Sequence, residues 1–198
     1  MTLKNGRPSS TDHGGSVYLY GYYDNNYGHK GHDPMFQNVI FEGNQTKWST
    51  NNGSKQGGAV YAGYGPAPYF RDVTFRNNLT DHYGGAVYIN AADTNKTIIF
   101  ERTQFIGNKS INNDDKTYAQ GGAVFIRESG KIVFESSVFD SNYAEMNGAC
   151  CGNDKGGAMY INNNHGPFIV RNSKFRFNKI YSPDGNEGGG AEAGAIRV

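Results

Sequence analysis

Two short motifs alternate along almost the whole chain, and their regular recurrence constrains the fold more than any other feature. The first motif is Gly-Gly followed by a small, an apolar and an aromatic residue, and its copies begin at residues 14, 57, 84, 121 and 156. The second motif is Phe-x-x-Asn, whose copies begin at Phe41, Phe75, Phe105, Phe139 and Phe175. The Phe-x-x-Asn copies follow one another at intervals of 34, 30, 34 and 36 residues. Such a period is typical of solenoids and other repeat arrays, in which each repeat covers its neighbour.

The residue types within each repeat favour strands over helices. The recurring segments are short runs rich in Val, Ile, Phe and Tyr that are bounded by Gly, Asn and Asp, and leucine occurs only three times in 198 residues. A chain that coils once per repeat stacks each strand on its copy in the next coil. The sequence therefore predicts an all-β protein, a right-handed parallel β-helix (solenoid) of about five to six coils with pectin-lyase-like architecture. We expect this repeat domain to cover residues 14–198, after an N-terminal segment at 1–13.

Alternation along each strand predicts which residues face the core. The second and fourth residues after each Gly-Gly are apolar in every copy, so we expect them to point inward. The residue between them is mostly aromatic and is Arg197 in the last copy, so this column is expected to face outward. It consists of Tyr18, Tyr61, Tyr88, Phe125 and Tyr160. These residues should form a ridge that is either open to partners or covered by the protein's own loops.

The asparagines of the second motif recur at equivalent places in the coil. Asparagine tolerates left-handed backbone angles and bonds neighbouring main chain, which favours a structural role over ligand binding. Stacked copies are expected to form a ladder of amide hydrogen bonds. The ladder residues are Asn44, Asn78, Asn108, Asn142 and Asn178.

Together, the repeated Gly-Gly-Ala-[Ile/Leu/Val] and Phe-x-x-Asn motifs resemble the chlamydial polymorphic outer membrane protein repeats, from residue 14 to residue 198. The resemblance implies a right-handed β-helix that is exposed on the cell surface and serves adhesion. An extracellular or cell-surface location is therefore expected.

Catalysis is not expected. A polysaccharide-cleaving site needs converging carboxylates, and the outward acidic residues Asp72, Glu101 and Glu135 fall at non-equivalent positions. The formal net charge of +1 does not favour nucleic-acid binding, and no apolar run is long enough to span a membrane as a helix. We predict no catalytic residues and no cofactor.

Two polar loops were weighed as metal sites. His29 and His32 lie beside Asp33, and residues 112–115 are rich in oxygen ligands, but neither has the spacing of a known binding loop. Both are expected to be solvated loops, so no metal site is predicted.

Loop residues offer two kinds of covalent modification. Cys150 and Cys151 are adjacent, and we expect either an intermolecular disulfide or unpaired thiols. Among the Asn-x-Ser/Thr sequences, Asn52 and Asn95 lie in predicted loops and are the better candidates for N-glycosylation.

Three functions remain in order of preference. The first is a non-enzymatic structural block that stacks head to tail with copies of itself into a fibre, since the first and last repeats bracket the chain with the same predicted strand. A fragment of a longer β-helix would give the same pattern. The second is an adhesin module that binds host or surface glycans, and the third is a polysaccharide-active enzyme.

Overall fold

The fold is described from a computed structural model that covers residues 1–8, 13–26, 28–46, 55–112, 119–146, 155–181 and 193–198. Every regular element within these ranges is a β-strand. The same ranges contain no helix that is long and apolar enough to cross a membrane. The protein is therefore all-β wherever it is described, as the sequence predicts.

The strands are short and follow one another at turns that recur in each coil. The first coil and the hairpin after it contain β1 (Thr2–Lys4), β2 (Val17–Tyr20), β3 (Tyr22–Asp24) and β4 (Gly28–Lys30). The next two coils contain β5 (Met35–Gln37), β6 (Ile40–Glu42), β7 (Gln45–Thr46), β8 (Val60–Gly65), β9 (Tyr69–Arg71), β10 (Thr74–Arg76), β11 (Leu79–Thr80) and β12 (Val87–Ala92). The remaining strands are β13 (Thr97–Glu101), β14 (Gln104–Ile106), β15 (Lys109–Asn112), β16 (Val124–Arg127), β17 (Lys131–Glu135), β18 (Val138–Asp140), β19 (Tyr143–Met146), β20 (Met159–Asn162), β21 (Phe168–Arg171), β22 (Lys174–Arg176), β23 (Lys179–Tyr181) and β24 (Ile196–Arg197).

Four parallel sheets run along the molecule, and each takes one strand from every regular coil. Their strand orders are β1-β6-β10-β14-β18-β22, β2-β8-β12-β16-β20-β24, β5-β9-β13-β17-β21 and β7-β11-β15-β19-β23. Equivalent residues pair across coils, so that Val60 pairs with Val87 and Val87 with Val124. This arrangement confirms the predicted parallel β-solenoid; its handedness stays a prediction.

The number of coils is slightly smaller than predicted. The solenoid amounts to about four turns, which is the number of steps between Phe41 and Phe175. Within the described residues the first coil contributes no strand to the sheet β7-β11-β15-β19-β23, and the antiparallel hairpin β3–β4 is inserted between β2 and β5. Within the predicted N-terminal segment 1–13, β1 already pairs with β6, so part of this segment belongs to the sheet.

Two columns of stacked phenylalanine rings fill the core. Phe41, Phe75 and Phe105 stack with ring centroids 4.8 and 5.1 Å apart, and the rings of Phe70 and Phe100 stack at 5.0 Å. The two columns meet edge to face, with the Phe70 and Phe75 centroids 5.4 Å apart. All five side chains are fully buried. Because aromatic pairs favour these offset and edge-on geometries, each new coil extends the same packing.

A sharp corner lets both phenylalanine columns point inward although they are an odd number of residues apart. One residue between the two strands of each coil takes a left-handed backbone with φ between 47° and 54°; these residues are Asn38, Asp72, Arg102, Ser136 and Asn172. A left-handed residue reverses the strand alternation at that point. Their outward side chains agree with the sequence prediction.

The Gly-Gly pair forms another corner, at which two coils approach closely. Gly84 has φ of +66°, which glycine adopts without strain. Its neighbour Gly85 lies against the next coil, where a Cβ atom would be only 2.0 Å from the carbonyl oxygen of Gly122. Any side chain at Gly85 would therefore push two coils apart.

Candidate functional site on the outer faces of the solenoid

The motif asparagines form a continuous buried ladder. The Nδ2 of Asn78 donates to Oδ1 of Asn108 at 2.9 Å, and the Nδ2 of Asn108 donates to Oδ1 of Asn142 at 3.0 Å. From Asn78 onward, each Oδ1 also accepts the backbone N–H of the asparagine before it, and each Nδ2 also donates to a phenylalanine carbonyl of the previous coil, as Asn108 does to Phe75 at 2.9 Å. At Asn44 the Nδ2 donates instead to the carbonyl of Leu3. Asn44 and Asn178 end the series. Because these amides already bond one another, they are not available to a ligand.

The aromatic column is continuous, but most of it is covered. The rings of Tyr18, Tyr61, Tyr88 and Phe125 stack at centroid distances of 5.0, 5.3 and 5.3 Å. Tyr18 is 50% exposed, whereas Tyr61, Tyr88, Phe125 and Tyr160 are buried. Of the two alternatives, the covered ridge describes the rings from Tyr61 to Tyr160, and the open ridge applies to Tyr18 alone among the five.

The residues that cover the column immediately precede the Gly-Gly pairs. His13 stacks on Tyr61 with centroids 4.6 Å apart, and Tyr83 stacks on Phe125 at 4.9 Å. The ammonium of Lys155 lies 5.5 Å from the ring centre of Tyr160. Gln56, Tyr83, Gln120 and Lys155 pair with one another as parallel bridges, so they form a further row outside the aromatic one. The sequence signal was present, because each of these residues adjoins a recognised motif.

Burial also changes the acidity of the covered tyrosines. Desolvation raises the pKa of Tyr61 and of Tyr88 well above the ordinary value of 10.0. The neutral phenol is therefore the stable form in the fold across the physiological range. These hydroxyls act as part of the packing and not as proton donors at neutral pH.

The outward carboxylates of the enzyme alternative are paired with arginines. The guanidinium of Arg102 lies 2.7 Å from Asp72, and that of Arg71 lies 3.0 Å from Glu101. Glu101 also accepts from Tyr69 and Arg102, and these contacts, led by the Tyr69 hydroxyl, hold the pKa of Glu101 below its usual 4.5.

Glu135 pairs in register with Glu101, so the expectation of non-equivalent positions is wrong for these two residues. Its carboxylate lies 3.5 Å from Arg171. A glycosidase general acid needs a raised carboxyl pKa, whereas the pKa of Glu101 is lowered. The arrangement of these three acidic residues favours cross-coil ion pairing over acid catalysis.

The polar loop near His32 is tied to the solenoid. Asp33 accepts the backbone N–H of Ala67 at 2.9 Å and lies 2.9 Å from the ammonium of Lys96. His32 is exposed. No cluster of three or more metal-ligating side chains occurs among the residues that are described.

A shallow groove runs along the outside of the sheet β7-β11-β15-β19-β23. Its floor is the outward column of this sheet, in which Leu79, Lys109, Tyr143 and Lys179 are paired in register. The groove encloses about 440 Å³ between Lys109 and Lys179, and a second part of about 270 Å³ continues past Lys109 toward Gln45. It is an open surface feature that spans several coils.

The wall of this groove is a corner at which the backbone is left-handed in every coil. Gly43, Asn77, Gly107 and Ser141 hold this corner with φ between 54° and 61°, and Phe177 holds it in the last coil with φ of +54°. Glycine and asparagine adopt such angles readily, whereas a bulky residue there is a genuine outlier. Phe177 is also 74% exposed. Comparing the residues before each ladder asparagine would have revealed this exception, and the sequence reasoning missed it.

The predicted modification sites are only partly described. Asn95 is exposed in the turn between β12 and β13, where an attached glycan would meet solvent. Asn52, Cys150 and Cys151 lie outside the described residues. N-glycosylation and an intermolecular disulfide stay predictions.

A comparison with protein-family models gives one match. Residues 38–63 and 72–90 match the Chlamydia polymorphic membrane protein (Chlamydia_PMP) repeat. No match was found among curated proteins, and none among solved structures. Each matched stretch contains one Phe-x-x-Asn strand and the Gly-Gly corner that follows it. The resemblance is therefore confirmed as a match of these two stretches to the Chlamydia polymorphic membrane protein repeat.

Proposed function

We propose that the protein is a non-enzymatic structural β-solenoid outside the cell, extended into a fibre by head-to-tail stacking of copies. The observation that carries the proposal is the constant register of the parallel sheets, in which Phe75, Phe105 and Phe139 lie directly above one another. Because every coil presents the same inner layer and the same strand edges, a coil of a second copy can pair in the same way as a coil of the first.

The two ends also fit one another in register. Continuing the sheet order would place β22 of one copy beside β1 of the next and β24 beside β2. Phe175 would then cover Leu3, and Arg197 would lie over the half-exposed ring of Tyr18, a favourable cation–π arrangement.

The same register brings two positive charges together. Arg176 of one copy would lie opposite Lys4 of the next, since the two residues stand at the two ends of one column of this sheet. The ion pair of Arg176 with Asp140, at 2.8 Å, offsets part of this repulsion. Salt screens this repulsion. We therefore expect stacking to strengthen as ionic strength rises, whereas a contact held by opposite charges would weaken.

The non-enzymatic part of the proposal is supported by the ion pairs. Asp72, Glu101 and Glu135 each neutralise an arginine, and this use of carboxylates fits a surface that holds coils in register. The match to a membrane protein repeat supports a location at the cell surface.

Sedimentation velocity tests the stacking, with reductant present so that disulfides do not contribute. The full chain should form species larger than the monomer, increasingly so at higher salt. Ile196→Asp should abolish them, because it places a charge on the exposed inner layer, while Lys131→Gln on an outer face should not. Circular dichroism checks whether Ile196→Asp still folds. Tyr18→Ser, at the opposite end of the stacking contact, should also reduce the larger species. A chain that stays monomeric at high concentration and high salt contradicts the proposal.

A second candidate function is adhesion to glycans. It is favoured by the groove on the sheet β7-β11-β15-β19-β23, which combines exposed lysines with the exposed ring of Phe177. This candidate does not require stacking, since the groove lies along the side of the solenoid.

A further inference from the structure

Phe177 combines two features that are unfavourable for a bulky aromatic residue. Its backbone is left-handed, and its ring is mostly in solvent. Its exposure is a property of the corner, because Asn77 and Ser141 are exposed at the same place in earlier coils. Strained residues and exposed aromatic rings are both concentrated at binding sites.

The charges beside Phe177 are distinctive as well. Arg71, Arg76 and Arg102 on the other outer faces lie within 3.0 Å of carboxylates. Lys109 and Lys179 line the groove, are exposed, and form no ion pair with any residue that is described. The described lining of the groove therefore carries two lysines and no carboxylate, on a protein whose formal net charge is only +1.

The spacing of these groups suits a linear ligand. Lys109 and Lys179 are two rungs apart in the same column, which is about 9.6 Å at the usual spacing of strands. Tyr143 lies between them, with its outward ring on the floor of the groove. A polymer lying parallel to the solenoid axis would meet a charge, a ring and a second charge in order.

We propose that this groove binds a linear anionic polysaccharide. Lys109 and Lys179 pair with its carboxylate or sulfate groups, while Phe177 and Tyr143 pack against the faces of its sugar rings. The proposal names a site and a ligand class for the adhesion candidate, on which it rests, and it is independent of head-to-tail stacking.

Fluorescence anisotropy of labelled oligosaccharides tests the proposal on the full chain. The probes are a heparin-derived oligosaccharide, which is sulfated, a hyaluronan-derived oligosaccharide, which carries only carboxylates, and neutral dextran. Binding of either anionic probe but not of dextran is expected, and the stronger of the two identifies the anionic group. Lys179→Gln should weaken binding by about tenfold at low salt, whereas the matched variant Lys131→Gln, on another outer face, should leave it unchanged.

Phe177→Asn separates binding from folding. Asparagine suits the left-handed corner, so the variant should unfold at the same temperature as the parent or a higher one. It should nevertheless bind the anionic probe about tenfold more weakly, because the ring is lost. The proposal is overturned if the parent chain binds neither anionic probe, or if it binds an acidic peptide as tightly as the anionic oligosaccharides. It is also overturned if Phe177→Asn binds as tightly as the parent, or if Lys179→Gln and Lys131→Gln weaken binding equally.

Sedimentation of the same samples keeps the two hypotheses apart. Lys109→Gln should also weaken glycan binding and should still stack, because Lys109 lies two rungs away from the last coil, whose strand β22 would meet the next copy. Loss of glycan binding with stacking intact is therefore expected for this variant. Absence of glycan binding in the parent chain would remove the adhesion candidate and leave the structural one standing.

Discussion

Replacing Asn108 by alanine removes the centre of the amide ladder. The side chain takes part in four hydrogen bonds: two accepted from Asn78 and two donated, to Phe75 and Asn142. A buried hydrogen bond contributes about 1 kcal/mol net, so the free energy of unfolding should fall by about 4 kcal/mol. For a chain of this length that corresponds to a decrease of roughly 8–16 °C in the midpoint of thermal unfolding.

Urea unfolding followed by circular dichroism measures this change, with two variants for comparison. Asn95→Ala, in an exposed turn, should alter stability by less than about 0.5 kcal/mol. Asn178→Ala, at the partly buried end of the ladder, loses three bonds and should cost about 2 kcal/mol. The reasoning is refuted if Asn108→Ala is no more destabilising than Asn95→Ala, because the ladder would then contribute nothing.

Three further outcomes follow from the geometry. Burial raises the pKa of Tyr88, so only the unfolded chain ionises this tyrosine near pH 10. The free energy of unfolding should therefore decrease above that pH, and in the Tyr88→Phe variant it should decrease less steeply. Since the pKa of Glu101 is lowered in the fold, its contribution is complete above pH 4.5 and is lost as the pH falls further; Glu101→Gln should be less sensitive to pH in thermal melts below this value. Gly85→Ala should prevent folding, because its Cβ would lie 2.0 Å from the oxygen of Gly122, and a soluble variant with the parent's unfolding midpoint would contradict the close approach.

The sequence was sufficient for the fold because the repeats are regular. Each Phe-x-x-Asn and Gly-Gly motif marks the same place in the coil, so the sequence alone assigns Phe75 and Val87 to the core. The corner at Asp72 was also required by the odd spacing of the phenylalanines. Such inferences succeed where equivalent residues pack in the same way in every coil.

The outer faces were harder to predict because they depend on residues that differ between coils. Strand alternation predicts that Tyr61 and Tyr88 face outward, but it does not decide whether other residues cover them, as His13 and Tyr83 do. Phe177 is an exception to a pattern, and it becomes informative only once the left-handed corner is known. Function at the surface therefore has to be inferred from departures from the repeat.

The stacking of coils can be measured directly as a distance between two outward positions in one sheet. Ile40 and Lys174 are linked in register through Thr74, Gln104 and Val138, although 134 residues separate them in the sequence. With both native cysteines replaced by serine, spin labels at these two positions should lie about 19 Å apart, before allowance for the label arms, since four rungs separate them. Pulsed electron paramagnetic resonance on a sample diluted with unlabelled protein should give one narrow distribution near this value. A broad distribution, or a mean more than twice as large, would contradict the parallel solenoid.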